Sequence, residues 1–251
     1  LIAVFADFIA PYDPLEIVSG KRGVGPSRDH PFGWDHVGRD LLSRVIFGSR
    51  VALIVGLVAS AVAIIIGVTI GAAAGYFGGK VDSALMRLTD TLMAFPLIAL
   101  LIMLAAVLGP SLATTLIVIG TTTWSTYARV VRADVMSLKE QEFILAARAC
   151  GTSDFRIIWR HILPNVLAPV IVLASLGVGN IIILESALSF LGLGIQPPKP
   201  SWGGTLADGR AYITLYPHIS FTPGVMIFLT VLAFNLFGDG LRDALDPRQR
   251  Y

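Results

Sequence analysis

The chain is 251 residues long, 55% hydrophobic and only 14% charged, with a formal net charge of +2 at pH 7. This composition, with a mean hydropathy of +0.75, excludes an ordinary soluble domain, and the absence of a dense basic cluster leaves no basis for a nucleic-acid partner. The single cysteine, Cys150, rules out an internal disulfide.

Residues 1–10 are apolar and stop at "PYDP". They are too few to cross a bilayer, which takes about 20 helical residues. The basic start and small-residue cleavage site of a signal peptide are both missing. The segment reads as the outer end of a truncated first transmembrane helix, with a short interfacial helix as the alternative. Residues 11–48 carry Pro, Gly and mixed charge and read as an extramembrane loop, with a short helix near residues 39–47.

Five long apolar runs follow, at residues 49–77, 85–108, 112–131, 164–191 and 219–237. Each is long enough to span a membrane. In the first, Gly67, Gly71 and Gly75 recur every fourth residue, which strips one helical face of side chains and predicts close helix packing there. "GGKVD" is a turn. Pro96 predicts a kink in the second run, and "GPS" at residues 109–111 a turn before the third. Pro164 predicts the start of the fourth, because its missing N–H has no partner at a helix start. Residues 194–218, with "GIQPPKPSWGG", form an outer loop, and residues 241–251 a polar tail. Runs of this length exclude barrel strands, and lipid forces every backbone polar group into internal hydrogen bonds, so the fold is an all-α membrane bundle. Arg129, Arg132, Lys139, Arg148, Arg156 and Arg160 favour the cytoplasm for residues 132–163. Lys80, Arg242, Arg248 and Arg250 fall on the same side, although residues 11–50 hold six Lys or Arg of their own.

Residues 132–163 form a polar elbow. Strong helix formers run from Lys139 to Cys150, and Ala146, Ala147, Ala149 and Cys150 give a surface of small side chains. Gly151 is placed to end this helix in the left-handed conformation. Thr152 or Ser153 can cap the next helix, with Asp154 favourable in its first turn. There Phe155, Ile158, Trp159 and Ile162 follow the i, i+3, i+4, i+7 pattern, with Arg156, Arg160 and His161 on other faces. Periodicity alone is equally satisfied by an apolar stripe resting on the lipid interface or on the bundle ends.

Glu185 is the most unusual ionisable residue in a span. At 1.5 Å per residue it lies about 30 Å beyond Pro164, near the outer boundary, and shares a face with Ser189 and Gly192. Intramembrane carboxylates usually face a bundle interior or a water path, where an amino group or metal cation would be attracted. A structural hydrogen bond or exposure at the span end are the alternatives. Asn180 and Asn235 suit helix–helix hydrogen bonds, and Asp90 a pair with Arg87 or a helix cap. No Gly-x4-Gly-Lys-Ser/Thr phosphate loop is present. His30, His36, His161 and His218 are scattered rather than spaced as metal ligands, and Ser43 lies in no nucleophile elbow.

One pattern is specific. Ala146, Ala147, Gly151, Leu163 and Pro164 stand in the register of the cytoplasmic signature of ABC importer permeases: Glu-Ala-Ala, three residues, Gly, nine residues, Ile-x-Leu-Pro. Leu145 replaces the Glu and removes a charge from that contact, and His161 replaces the Ile. "HPFGWDHVGRDLLSRVIFGSR", "GYFGGKVD", "SFLGLGIQPPKPSWGG" and "LAFNLFGDGLRDALDPR" extend the match in order along nearly the whole chain. The sequence resembles the second, C-type permease subunit of dipeptide, oligopeptide and nickel importers.

The resemblance implies a type I ABC importer bundle over residues 49–240, with five full spans plus the truncated end of a first, in a bacterial or archaeal inner membrane. Both termini of the full protein would be cytoplasmic. It implies a non-catalytic half of a heterodimeric pore, completed by a homologous permease. Two ATPase subunits would hold ATP and Mg, this chain would bind no cofactor or metal, and an extracytoplasmic binding protein would deliver substrate. Leu145, Ala146, Ala147, Gly151, Thr152, Ser153, Asp154, Phe155 and Arg156 would contact the ATPase. Closure of the ATPases would move the helix after Gly151 and switch the pore between inward-open and outward-open states. Glu185, Ser189 and Asn180 would be candidates for the translocation path. Peptides are the expected substrate, with nickel chelates or other small solutes as alternatives. A gradient-driven secondary transporter is the rival class. It would need broken spans and several midplane ionisable residues, whereas here charges cluster at span ends.

Overall fold

The computed structural model describes residues 1–245. Arg248 and Arg250, used above in the charge argument, lie outside the described residues. The described chain is helical apart from turns, with one isolated bridge between Trp34 and Asp40. It divides into two compact units.

The first unit comprises Leu1–Ala59, Leu101–Ile119 and Val178–Ala233. A four-residue helix, α1 (Ala6–Ile9), precedes a loop organised by Asp35. One oxygen of this buried carboxylate accepts from the N–H groups of Val37, Gly38 and Arg39, each at 2.9 Å, and the other accepts from Arg39 Nε at 2.6 Å. Asp40 then caps the next helix, accepting the Ser43 N–H at 2.7 Å. That cap starts α2 (Leu41–Phe77), so the short helix expected at residues 39–47 is the opening of a 37-residue helix. Most of α4 (Leu97–Leu108) and α5 (Leu112–Thr122) also belong to this unit. So do the last part of α9 (Leu163–Phe190), α10 (Trp202–Arg210) and the first part of α11 (His218–Leu245). Its core is built from Val55, Ala59, Leu101, Ala105, Ile119, Ile181 and Leu188. The outer loop contains a real helix, α10, because the Ser201 hydroxyl caps it on the Gly204 N–H. Trp202 is buried and donates from Nε1 to the Val45 carbonyl at 2.9 Å.

The second unit begins at Ser60 and holds the glycine seam. A methyl built on Gly67, Gly71 or Gly75 would meet backbone carbonyls of α6 (Trp124–Leu138), those of Trp124, Ala128 and Arg132, at 2.7, 2.5 and 2.8 Å. The small face therefore brings α2 against α6 backbone to backbone. Across from them, α3 (Gly79–Ala94) is tied to α6 by ion pairs. Arg132 grips Asp82 through two nitrogens, at 2.5 and 2.6 Å, and Arg129 pairs with Asp90 at 2.6 Å. Asp90 thus pairs with a residue of another helix and not with Arg87.

Three helical stretches among the described residues are long and apolar enough to cross a bilayer alone: Leu41–Phe77, Asp154–Phe190 and His218–Leu245. The run at 85–108 is not one kinked helix. It breaks between α3 and α4 with a bend of 88°. Pro96 has no N–H and pushes Phe95 into extended backbone, φ −83° and ψ 138°, so the ladder ends there. The run at 112–131 is shared by α5 and α6, interrupted at Thr123.

Candidate functional site

The elbow follows α6. Glu142–Ala149 forms α7, and its end has the geometry expected of Gly151. Gly151 adopts φ +76°. The Thr152 N–H reaches back to the Ala147 carbonyl at 3.1 Å and the Gly151 N–H to the Arg148 carbonyl at 2.9 Å. This paired closure satisfies the last carbonyls of the helix and turns the chain. Nothing lies within 4 Å of a Cβ added at Gly151, so the position is open to its surroundings.

The second arm starts at α8 (Asp154–Ile157). Ser153 occupies the cap position in extended backbone, but its hydroxyl makes no capping bond, contrary to the expectation for Thr152 or Ser153. A π-helical turn, Ile158–Ile162, then leads into α9. The arm and the following span are therefore one continuous helix, Asp154–Phe190, and Pro164 does not start it. Pro164 cannot donate to the Arg160 carbonyl, and the wider turn lets the helix run through that gap. The Asn165 side-chain amide donates to the His161 carbonyl at 2.6 Å, one residue beyond the carbonyl that Pro164 leaves without its donor.

The π turn also divides the expected apolar stripe. Ile157 and Ile162, five residues apart, are fully buried, and Ile158 is half-buried. With Ile144 of α7 they pack on Ala72, Tyr76, Val131, Val135, Val166 and Val170. Phe155 and Trp159 instead face outward, 72% and 60% exposed, with ring centroids 6.0 Å apart. Phe143 and Leu145 of α7 are also exposed, as are Ala146, Ala149 and Cys150. The elbow is thus pinned from below by isoleucines and presents a second, uncovered apolar face. Arg156 and Arg160 are exposed beside it.

Asp154 is engaged across the elbow. It accepts the Tyr76 hydroxyl at 2.6 Å, and the Arg148 guanidinium sits 5.0 Å from the centre of the same ring. Nothing in the sequence pointed to Tyr76, and Arg148 entered only through the charge balance. Tyr76 is 78 residues from Asp154, and no periodicity or spacing connects them.

The path candidates separate. Glu185 is fully buried and accepts from the hydroxyls of Ser189 at 2.7 Å and Ser186 at 3.2 Å. Ser189 also accepts the Ile195 N–H at 3.3 Å, just past a helix end at Gly192 with φ +78°. Asn180 is exposed and does not join this cluster. Among the described residues no group of three His, Cys, Asp or Glu side chains is arranged to hold a metal ion.

Residues 64–251 match the family described as "binding-protein-dependent transport system inner membrane component". The dipeptide transport system permease protein DppC of Alkalihalophilus pseudofirmus is 47% identical over 250 residues, covering 100% of this chain and 82% of that protein. The glutathione transport system permease protein GsiD of an Escherichia coli O6:K15:H31 strain is 45% identical over 249 residues, covering 99% and 82%. Among solved structures, an inward-facing form of the MetNI methionine ABC transporter superposes with a TM-score of 0.67 at 17% identity, covering 82% of this chain and 98% of that chain. At that identity the likeness concerns the fold.

Proposed function

Because this chain belongs to the family of binding-protein-dependent transport system inner membrane components, a family of pore-forming permeases that do no catalysis, we propose that it forms half of the pathway of a peptide importer. Two relatives along essentially its whole length are named for dipeptide and glutathione transport, and this supports a peptide substrate. A homologous permease completes the pore in this reading. Two ATPase chains bind and hydrolyse ATP with Mg, and an extracytoplasmic binding protein delivers substrate.

The uncovered apolar face of the elbow carries this reading. Phe155, Trp159, Leu145 and Phe143 stand exposed on a segment already fixed from beneath. Exposed apolar clusters of that kind mark interaction sites. We assign Leu145, Ala146, Ala147, Gly151, Thr152, Ser153, Asp154, Phe155 and Arg156 to the contact with an ATPase. With Leu145 in place of an acidic residue, that contact rests on shape and apolar burial more than on charge. Continuity of Asp154–Phe190 explains how a push is passed on: the arm and the span are one helix, about 55 Å long at 1.5 Å per residue.

Glu185, Ser189 and Asn180 remain our candidates near the path. Glu185 and Ser189 act as one hydrogen-bonded unit that shapes the outer end of α9, and exposed Asn180 is the member free to meet solute or a facing helix.

Gly151→Leu tests the coupling. A non-glycine residue at φ +76° carries a penalty of about 1–2 kcal/mol, roughly tenfold in an equilibrium. In proteoliposomes holding the assembled transporter, uptake should fall by about that factor while ATP hydrolysis continues. Normal assembly with full uptake would show that the elbow does not couple. Titration of the binding protein with dipeptides, glutathione and nickel chelates separates the substrate classes.

A further inference from the structure

We propose that Tyr76 is a positioning residue for energy coupling: its hydroxyl, donated to Asp154, locks the second arm of the elbow to the end of α2, so that both helices move together. The proposal rests on the coupling role assigned above and adds a second route for the motion, besides the continuous α8–α9 helix.

Three elements converge on this one phenol. Its ring is buried with Ala72, Ile144, Ile157 and Val135 beneath the elbow. Its hydroxyl reaches Asp154 on α8 at 2.6 Å, and Arg148 of α7 covers its face at 5.0 Å. The apolar contacts of α2 with the elbow in this core are non-directional and tolerate sliding. A hydroxyl–carboxylate bond is charge-assisted and directional, so it fixes register. Asp154 lies in the first turn of its helix, where a carboxylate favourably serves nearby backbone N–H groups. Here it is bonded instead to a side chain 78 residues away. The cap residue Ser153 makes no side-chain capping bond.

Packing requires only the ring, whereas the lock requires the oxygen. Tyr76→Phe keeps the first and removes the second, and Asp154→Ala removes the acceptor from the exposed side. The assay is uptake per ATP hydrolysed in proteoliposomes containing the whole transporter, with labelled dialanine and labelled glutathione as probes, alongside size-exclusion profiles and melting of the assembly. We expect Tyr76→Phe and Asp154→Ala to assemble and hydrolyse ATP while uptake per ATP falls about fivefold, the equilibrium worth of one hydrogen bond. An unchanged ratio in Tyr76→Phe overturns the lock whatever Asp154→Ala does, because Asp154 also belongs to the proposed ATPase contact. So does reduced assembly in which the surviving complexes keep the wild-type ratio, because that is a purely structural role. Gly151→Leu run in parallel separates the two ideas. If it too leaves the ratio unchanged, the coupling role of the elbow falls; if it lowers the ratio while the other variants do not, only the lock falls.

Discussion

Gly71→Ala should destabilise this protein out of proportion to the one methyl it adds. That methyl would lie 2.5 Å from the Ala128 carbonyl oxygen and 2.9 Å from Val131 Cβ. Ordinary contact begins near 3.4 Å, so α2 and α6 would have to part by about 0.9 Å, the difference between 3.4 and 2.5. The helices cannot part at one point alone. Gly67 and Gly75 hold the same pair at equally short range, and Ala128, Val131 and Val135 are buried in the seam. Overpacking of this kind costs about 1–3 kcal/mol. Gly240→Ala in α11 is the matched control. No atom lies within 4 Å of its added methyl and no positive φ is involved. There the loss of backbone freedom in the unfolded chain should stabilise by about 0.4–1 kcal/mol. Melting of the detergent-solubilised protein, followed by fluorescence-detected size exclusion, should place Gly71→Ala below wild type and Gly240→Ala at or above it. If Gly71→Ala melts with or above Gly240→Ala, the backbone-to-backbone seam is wrong.

The ion pair between α3 and α6 is half-exposed, with Arg132 at 31% and Asp82 at 17%. A double-mutant cycle with Asp82→Asn and Arg132→Gln should therefore give a coupling of only about 1 kcal/mol, reduced in high salt. Zero coupling in low salt would mean that the two-nitrogen grip contributes nothing. Trp202→Phe removes a buried indole and its bond to the Val45 carbonyl. The cost should be about 1 kcal/mol for the bond, plus a cavity contribution. Trp159→Phe changes a ring that is 60% exposed and should leave the melting of the isolated subunit unaltered. Equal melting temperatures for the two variants would contradict the buried placement of Trp202.

Some of the elbow was legible residue by residue. Gly151 ends α7 in the left-handed conformation because a helix former run meeting a lone glycine leaves few other closures. The reading failed where a rule about one residue met a neighbour able to compensate. Pro164 marks a helix start only where the helix cannot run through it, and here a π turn carries the helix through. The four-residue stripe Phe155, Ile158, Trp159 and Ile162 assumes 3.6 residues per turn. The π turn breaks that assumption, burying Ile157 with Ile162 and turning Phe155 and Trp159 outward. Pro96 read as a kink, whereas the extended backbone of Phe95 makes it a break.

Charge and polar partners were the least legible. Asp90 suits a pair with its helix neighbour Arg87 or a helix cap, but α6 supplies Arg129 at 2.6 Å instead. Glu185 and Ser189 were placed on one face by spacing, and they do bond, because both lie on the same helix one turn apart. Asn180 is on the same helix too, yet it points elsewhere.

By itself the amino-acid order settled that this is a helical membrane protein and where the elbow turns. Those properties follow from local chemistry: apolar length against bilayer thickness, backbone groups that must bond within their own helix, and a glycine free to take positive φ. Tertiary structure alone decided which helix fills the glycine seam, which elbow side chains stay uncovered, and that Tyr76 holds Asp154. Each of these depends on distances between residues far apart in the chain, and a local rule carries no information about such distances.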